Sequence, residues 1–162
     1  MQGMTSINGL PYALVPMNAP WIEHVKVLEK ALHEHPEDEL RILRALVTYS
    51  SMVPEKYELC LAAADRVLEL SDQDYDRAEV MVSKATVLFE QKKDLDVVEN
   101  LLIAVYDMYK DYQDVYQRLV DIYLERKDFE QALLWAERAL KEDGFDTIGA
   151  QLKGNVLLEM GR

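Results

Sequence analysis

Three histidines and one cysteine are the residues best suited to hold a metal or attack a substrate. His33 and His35 stand two apart, which on a helix points them to different sides, and Glu34 between them faces away again. No third ligand joins them nearby, and His24 stands apart. A solvated helix end is expected there, not a metal site. Cys60 has no histidine partner placed by the local pattern, so a packed thiol is expected in preference to a nucleophile. No glycine-rich phosphate loop and no Ser-His-Asp order can be drawn. The expectation is a chain without catalytic residues, metal or cofactor, and so not an enzyme.

The charged residues suggest recognition. Arg44, Lys84 and Arg118 each stand at the same five-residue offset before an aromatic, namely Tyr49, Phe89 and Tyr123. Cations in such a column pair with carboxylates on a ligand. Asp114, Gln117 and Asp121 add polar groups beside Arg118, and Asn155 continues them. The competing expectation is that these are ordinary exposed charges paired along their own helices. Tyr106, Tyr109, Tyr112 and Tyr116 follow one another at spacings of three and four, on neighbouring helix faces. They suit packing with hydroxyls at the rim. The alternative is an aromatic patch for a peptide.

These residues need helices to position them. Apolar residues at helical spacing predict helices over Trp21–His35, Glu37–Met52, Tyr57–Leu70, Asp74–Glu90, Asp94–Lys110, Gln113–Arg126, Asp128–Glu142 and Thr147–Met160. Asp94 and Asp128 are placed as N-caps and Gly144 as a C-cap. Phe89, Tyr123 and Leu157 recur at a period of 34 residues (123 − 89 and 157 − 123). Their flanks travel with them: Phe89-Glu-Gln-Lys-Lys-Asp94 answers Tyr123-Leu-Glu-Arg-Lys-Asp128, and Leu157-Leu-Glu-Met-Gly161-Arg162 begins the same phrase. The second helices agree, with Tyr57–Leu68 lying over Phe129–Leu140. Helix hairpins at such a period form arrays in which neighbours bury each other's apolar faces. The expected core includes Leu46, Tyr49, Ala64, Ala85, Phe89, Leu102, Leu119, Tyr123, Ala132, Ala136 and Ala139.

The pattern resembles the tetratricopeptide repeat family, whose repeat runs Trp…Leu-Gly…Tyr…Ala…Phe…Pro. Tyr116 stands for the Trp, Leu119 and Val120 for Leu-Gly, Tyr123 for the Tyr and Ala132 for the Ala, with Gly144 near the Pro. The Phe column departs, holding Ala64, Leu102 and Ala136; Trp135 is positioned to fill the space. The resemblance implies an all-α, right-handed α-solenoid of antiparallel helix hairpins, with about three repeats and flanking half-repeats. It implies that the first helix of each hairpin lines a concave groove that binds a peptide or helix of a protein partner. Arg44, Lys84, Asp114, Gln117, Arg118, Asp121 and Asn155 would then be groove residues. Of the carboxylate clamp by which some members hold chaperone C-termini, only Arg118 matches; Leu43, Val47, Lys84 and Asp114 do not.

Composition narrows the partner. A net charge of −12 argues against nucleic acid, which needs a basic stripe. No apolar run is long enough to span a bilayer. One cysteine excludes an internal disulfide and fits a reducing compartment such as the cytoplasm. Residues 1–19 carry no charge and are expected to be a flexible N-terminal segment before a repeat domain at 20–162. The alternative is that Ile7, Leu10, Tyr12, Leu14 and Val15 dock extended against the helices. The array begins on a second helix and stops on a first helix, so its ends are expected to expose apolar surface, with Leu152, Val156 and Met160 as candidates. A fragment of a longer protein, a homo-oligomer joined through end helices, or a tail folded over one end would each account for that.

Overall fold

The predicted helical spacings appear as eight α-helices in the computed structural model, which describes residues 3–142 and 144–161. Met1 and Gln2 of the tail, Asp143, and Arg162 of the last repeat phrase lie outside the described residues. The helices are α1 (Trp21–Glu34), α2 (Glu39–Ser50), α3 (Tyr57–Leu70), α4 (Asp74–Glu90), α5 (Leu95–Met108), α6 (Gln113–Glu125), α7 (Phe129–Lys141) and α8 (Asp146–Met160). The all-α repeat class is therefore observed, with α1, α2 and α3 packed in sequence, and α5, α6, α7 and α8 likewise. Two short strands add to it, β1 (Met4–Ser6) and β2 (Leu14–Pro16). Backbone contacts divide the chain into two compact units, Met1–Val87 and Leu88–Arg162.

In the first unit the uncharged N-terminal segment forms a short hairpin, as in the docked alternative. β1 and β2 pair antiparallel with Thr5 opposite Val15. Asn8 and Gly9, both at positive φ, turn the chain between them. The Ile7 amide donates to the Ala13 carbonyl at 2.8 Å and the Ala13 amide to the Leu10 carbonyl at 3.1 Å. Ile7, Leu10, Ala13 and Val15 are buried in one core with Val25, Leu28 and Ala31 of α1. Leu14, expected to dock with them, is exposed. Burying such side chains is worth roughly 1.5–3 kcal/mol each, enough to order a segment with no charge to solvate. Tyr12 fastens the loop: its hydroxyl donates to Asp38 at 2.6 Å and its ring stacks on His35 at 3.7 Å. Burial, with Asp38 beside it, pushes this phenol up to about 12. The Ile7 and Ala13 amides should therefore exchange at least about a hundredfold more slowly than in an unstructured chain. Exchange at the unstructured rate, measured by NMR, would contradict the hairpin.

The core of the first unit continues through α2, which packs on α1 and α3. Ile42, Leu46 and Ala64 are fully buried there. Cys60 is buried too, its thiol turned to the Val47 carbonyl at 3.5 Å and pushed up by burial. Tyr49 is only half-buried, stacked on His24, whose Nδ1 lies 3.2 Å from the Pro20 carbonyl.

The second unit is built on α6, which packs against α5, α7 and α8. Its nucleus is aromatic. Trp135 on α7 meets Tyr106 edge-on at 4.8 Å and Tyr116 at 6.2 Å, and Tyr116 meets Phe145 at 5.7 Å. Trp135 and Tyr116 are buried, so the tryptophan supplies the aromatic bulk that Ala136 lacks. Tyr106 and Tyr116 thus serve packing.

Local detail corrects several sequence expectations. Asp128 caps α7, accepting from the Gln131 amide at 3.3 Å. Asp94 sits at the same position but in a left-handed conformation, and its side chain caps nothing. The residue ending α7 is Glu142, with Gly144 at φ +83° beyond it. The 34-residue column is not structurally uniform. After α6 the Asp128 amide closes onto the Tyr123 carbonyl at 2.8 Å; after α4 the Lys93 amide closes onto Leu88, at 3.0 Å, and not onto Phe89. Leu88 therefore takes the buried place of Tyr123, and Phe89 is left half-buried. On α8 the buried residues are Gly149, Leu152 and Val156, of which Leu152 and Val156 are expected from sequence on an uncovered face. Leu157, Leu158 and Met160 are the exposed ones.

Candidate functional site

The expected basic column is divided by its partners. In the first unit Arg44 on α2 reaches α4, with Nη1 3.1 Å from Asp76 and Nε 3.3 Å from Glu79. Its guanidinium also lies over the Tyr75 ring, 5.7 Å from the centroid. Lys84 on α4 reaches α3, its Nζ 2.6 Å from Asp65. These two cations tie helices of their own unit together.

Arg118, in the second unit, makes no ion pair among the described residues. The positive charge acting on Asp121, one turn along α6, is Arg118's. Burial pushes the Asp121 carboxyl up, Arg118 pulls it down, and the charge of Glu90 pushes it up again. The structure therefore brings Arg118 and Asp121 together, while Arg44 and Lys84 are engaged elsewhere. Asp114, Gln117 and Asn155 are exposed on α6 and α8, with no hydrogen bond or ion pair among the described residues.

In the second unit α6 packs on α8. A cleft of about 320 Å³ opens there, lined by Gln113, Gly144, Thr147, Ile148 and Gln151. Amides and a hydroxyl both donate and accept, so such a lining can satisfy a peptide backbone. No group of three or more His, Cys, Asp or Glu among the described residues is placed to hold a metal ion. No helix among them is long and apolar enough to cross a membrane.

One cluster was missed by sequence reasoning. The Tyr123 hydroxyl donates to Glu99 Oε2, and Arg126 Nη1 donates to Glu99 Oε1 at 2.9 Å. Arg126 Nη2 donates to Asp96. The signal was present as two matched spacings of three, Asp96 with Glu99 on α5 and Tyr123 of α6 with Arg126 just past its end, but nothing in sequence says that those faces meet. Burial alone would raise the Glu99 carboxyl; the Tyr123 hydroxyl and the Arg126 guanidinium outweigh it and hold the carboxyl below the usual range. Burial, with Glu99 beside it, pushes the Tyr123 phenol up to about 12.

A carboxyl more acidic folded than unfolded stabilises the fold above the ordinary glutamate pKa of about 4.3. That stability is lost as pH falls through the lowered folded value. Urea midpoints at neutral and acid pH should therefore differ less in Glu99→Gln than in the parent. An equal fall would remove Glu99 from the acid response.

No curated protein and no solved structure matches the chain. Residues 88–156 match the family model described as tetratricopeptide repeat. The matched stretch runs from the end of α4 through most of α8 and holds the aromatic nucleus, the Asp128 cap and the α6–α8 region. Over residues 88–156 the chain is thus similar to the tetratricopeptide repeat family, the one its Tyr116–Leu119–Tyr123–Ala132 spacing resembles.

Proposed function

We propose that this chain is a protein-interaction module that holds a peptide or helix of a partner against the exposed residues of α6 and α8. Repeats of this family generally mediate protein–protein interaction. The observation that carries the reading is a contrast in commitment. Arg44 and Lys84 are engaged with their own fold. Asp114, Gln117 and Asn155 are exposed and make no bond among the described residues, and the same two helices, α6 and α8, line a cleft of about 320 Å³. Arg118 and Asp121 complete the recognition set. The role is binding without a reaction, and the unpaired, buried Cys60 suits a reducing compartment such as the cytoplasm.

A photo-crosslinking residue placed at Gln117 or Asn155 should yield adducts with another polypeptide. The same residue at Glu130, exposed on α7, should not. Adducts from Glu130 alone would overturn the assignment.

A second reading is self-association through α8. Its support is the exposure of Leu157, Leu158 and Met160, at 50%, 64% and 50%. That reading expects a molecular mass that rises with concentration in sedimentation and is returned to one chain by Leu158→Glu. A mass independent of concentration would end it.

A further inference from the structure

We infer that the turn between α4 and α5 forms a pocket for a basic side chain of the partner, a lysine or arginine inserted over Phe89 and Leu95. The inference rests on the protein-binding reading and names the chemistry of what is bound. It begins with the one-residue shift of the turn. Leu88 occupies the core place that the 34-residue period gives to Phe89, and Phe89 is left half-buried, lining a cleft of about 210 Å³.

The cleft is lined by Phe89, Glu90, Lys92, Leu95 and Glu125. Phe89 and Leu95 supply an apolar floor, with an aromatic face among them. Glu90 and Glu125 are exposed on the rim and make no ion pair among the described residues. Asp121, one turn before Glu125, feels the charge of Glu90, so a third carboxylate stands close.

Charge complementarity selects the occupant. Lysine and arginine bury an aliphatic stem on apolar surface while keeping a charged head in water. Here the stem would cover Phe89 and Leu95, and the head would lie between Glu90 and Glu125. A cation over the Phe89 ring adds a quadrupole attraction, and a cation on a carboxylate adds a charge-assisted hydrogen bond. An acidic side chain would meet two unpaired carboxylates. Lys92 is the one cation of the lining, and it makes no ion pair among the described residues. Its mobile stem can move aside.

The test uses the full chain labelled with nitrogen-15 and three acetylated, amidated pentapeptides. The probes are Ala-Leu-Arg-Leu-Ala, the same peptide with citrulline for arginine, and the same with glutamate. The arginine peptide should shift the amides of Glu90, Lys92, Leu95 and Glu125 saturably. Citrulline or glutamate should weaken binding at least about tenfold, the scale of one lost charge-assisted hydrogen bond. The double variant Glu90→Gln, Glu125→Gln should weaken the arginine peptide similarly. Glu55→Gln, which removes a charge from the first unit, should leave it unchanged. Equal binding of the arginine and citrulline peptides would overturn the pocket, as would an absence of shifts at those four amides. Adducts at Gln117 or Asn155 without cleft shifts would overturn the pocket alone and leave the protein-binding reading standing. Loss of both would remove the two together.

Discussion

Leu119→Ala should destabilise the second unit by about 2–5 kcal/mol, the range for a buried leucine truncated to alanine. Leu119 is fully buried on α6, the helix that packs against α5, α7 and α8. In a repeat array each helix stays dry because its neighbours cover it, so a hole in the central helix is felt on several sides. Collapse into the hole is restricted. The end of α6 is held by the Asp128 amide on the Tyr123 carbonyl, and α5 is held to α6 through Tyr123, Arg126 and Glu99.

The measurement can be confined to this unit. The chain has two tryptophans, one in each unit. Trp21 is 47% exposed, so Trp21→Phe should cost little and leaves Trp135 fluorescence to report on the second unit. In that background the Leu119→Ala urea midpoint should fall well below the parent. Leu157→Ala provides the comparison. Leu157 is half-exposed and should change stability by no more than about 0.5 kcal/mol. Equal effects from the two would mean that the buried column of α6 is wrongly placed.

That comparison also marks where sequence was sufficient. Helix limits were legible because apolar spacing persists over many residues: α4 has the bounds expected, and α6 ends one residue before them. Exposure of Asp114, Gln117 and Asn155 was legible for the same reason. The equivalence of Phe89, Tyr123 and Leu157 was not. It assumed that each first helix ends in the same phase, but the left-handed residue that stops α4 is Lys92 and the one that stops α6 is Lys127. A lysine carries no turn signal as glycine does, so the one-residue slide is silent in the sequence.

The N-terminal hairpin is illegible in the sequence for another reason. Strands of three residues are too short to show alternation, and the hairpin depends on burying Ile7, Leu10, Ala13 and Val15 against the core of its unit. The partners of the basic column were not legible either. Arg44 finds Asp76 and Glu79, and Lys84 finds Asp65, on neighbouring helices. Sequence spacing predicts only partners on the same helix.

The two glycines of α8 should respond with opposite signs to the same substitution. Gly154→Ala should stabilise by about 0.5–1 kcal/mol, because alanine restricts the unfolded chain and suits a helix interior. Nothing lies within 4 Å of a Cβ built there. Gly149→Ala gains the same propensity but places its Cβ 2.7 Å from the Leu140 backbone nitrogen and 2.9 Å from the Leu140 Cα. Backbone atoms cannot rotate away as a side-chain tip can, so α7 and α8 must separate. Overpacking of this kind costs about 1–3 kcal/mol, which exceeds the propensity gain over most of its range. The net effect expected is a loss, with the larger residue in Gly149→Val losing more. Both single variants can be followed by Trp135 fluorescence in urea, since α7 carries Trp135 and packs on α8. If Gly149→Ala stabilised the unit as Gly154→Ala is expected to, the close approach of α8 to Leu140 would be disproved. The α6–α8 cleft would lose its geometry with it, because α8 is seated on α6 and α7 together.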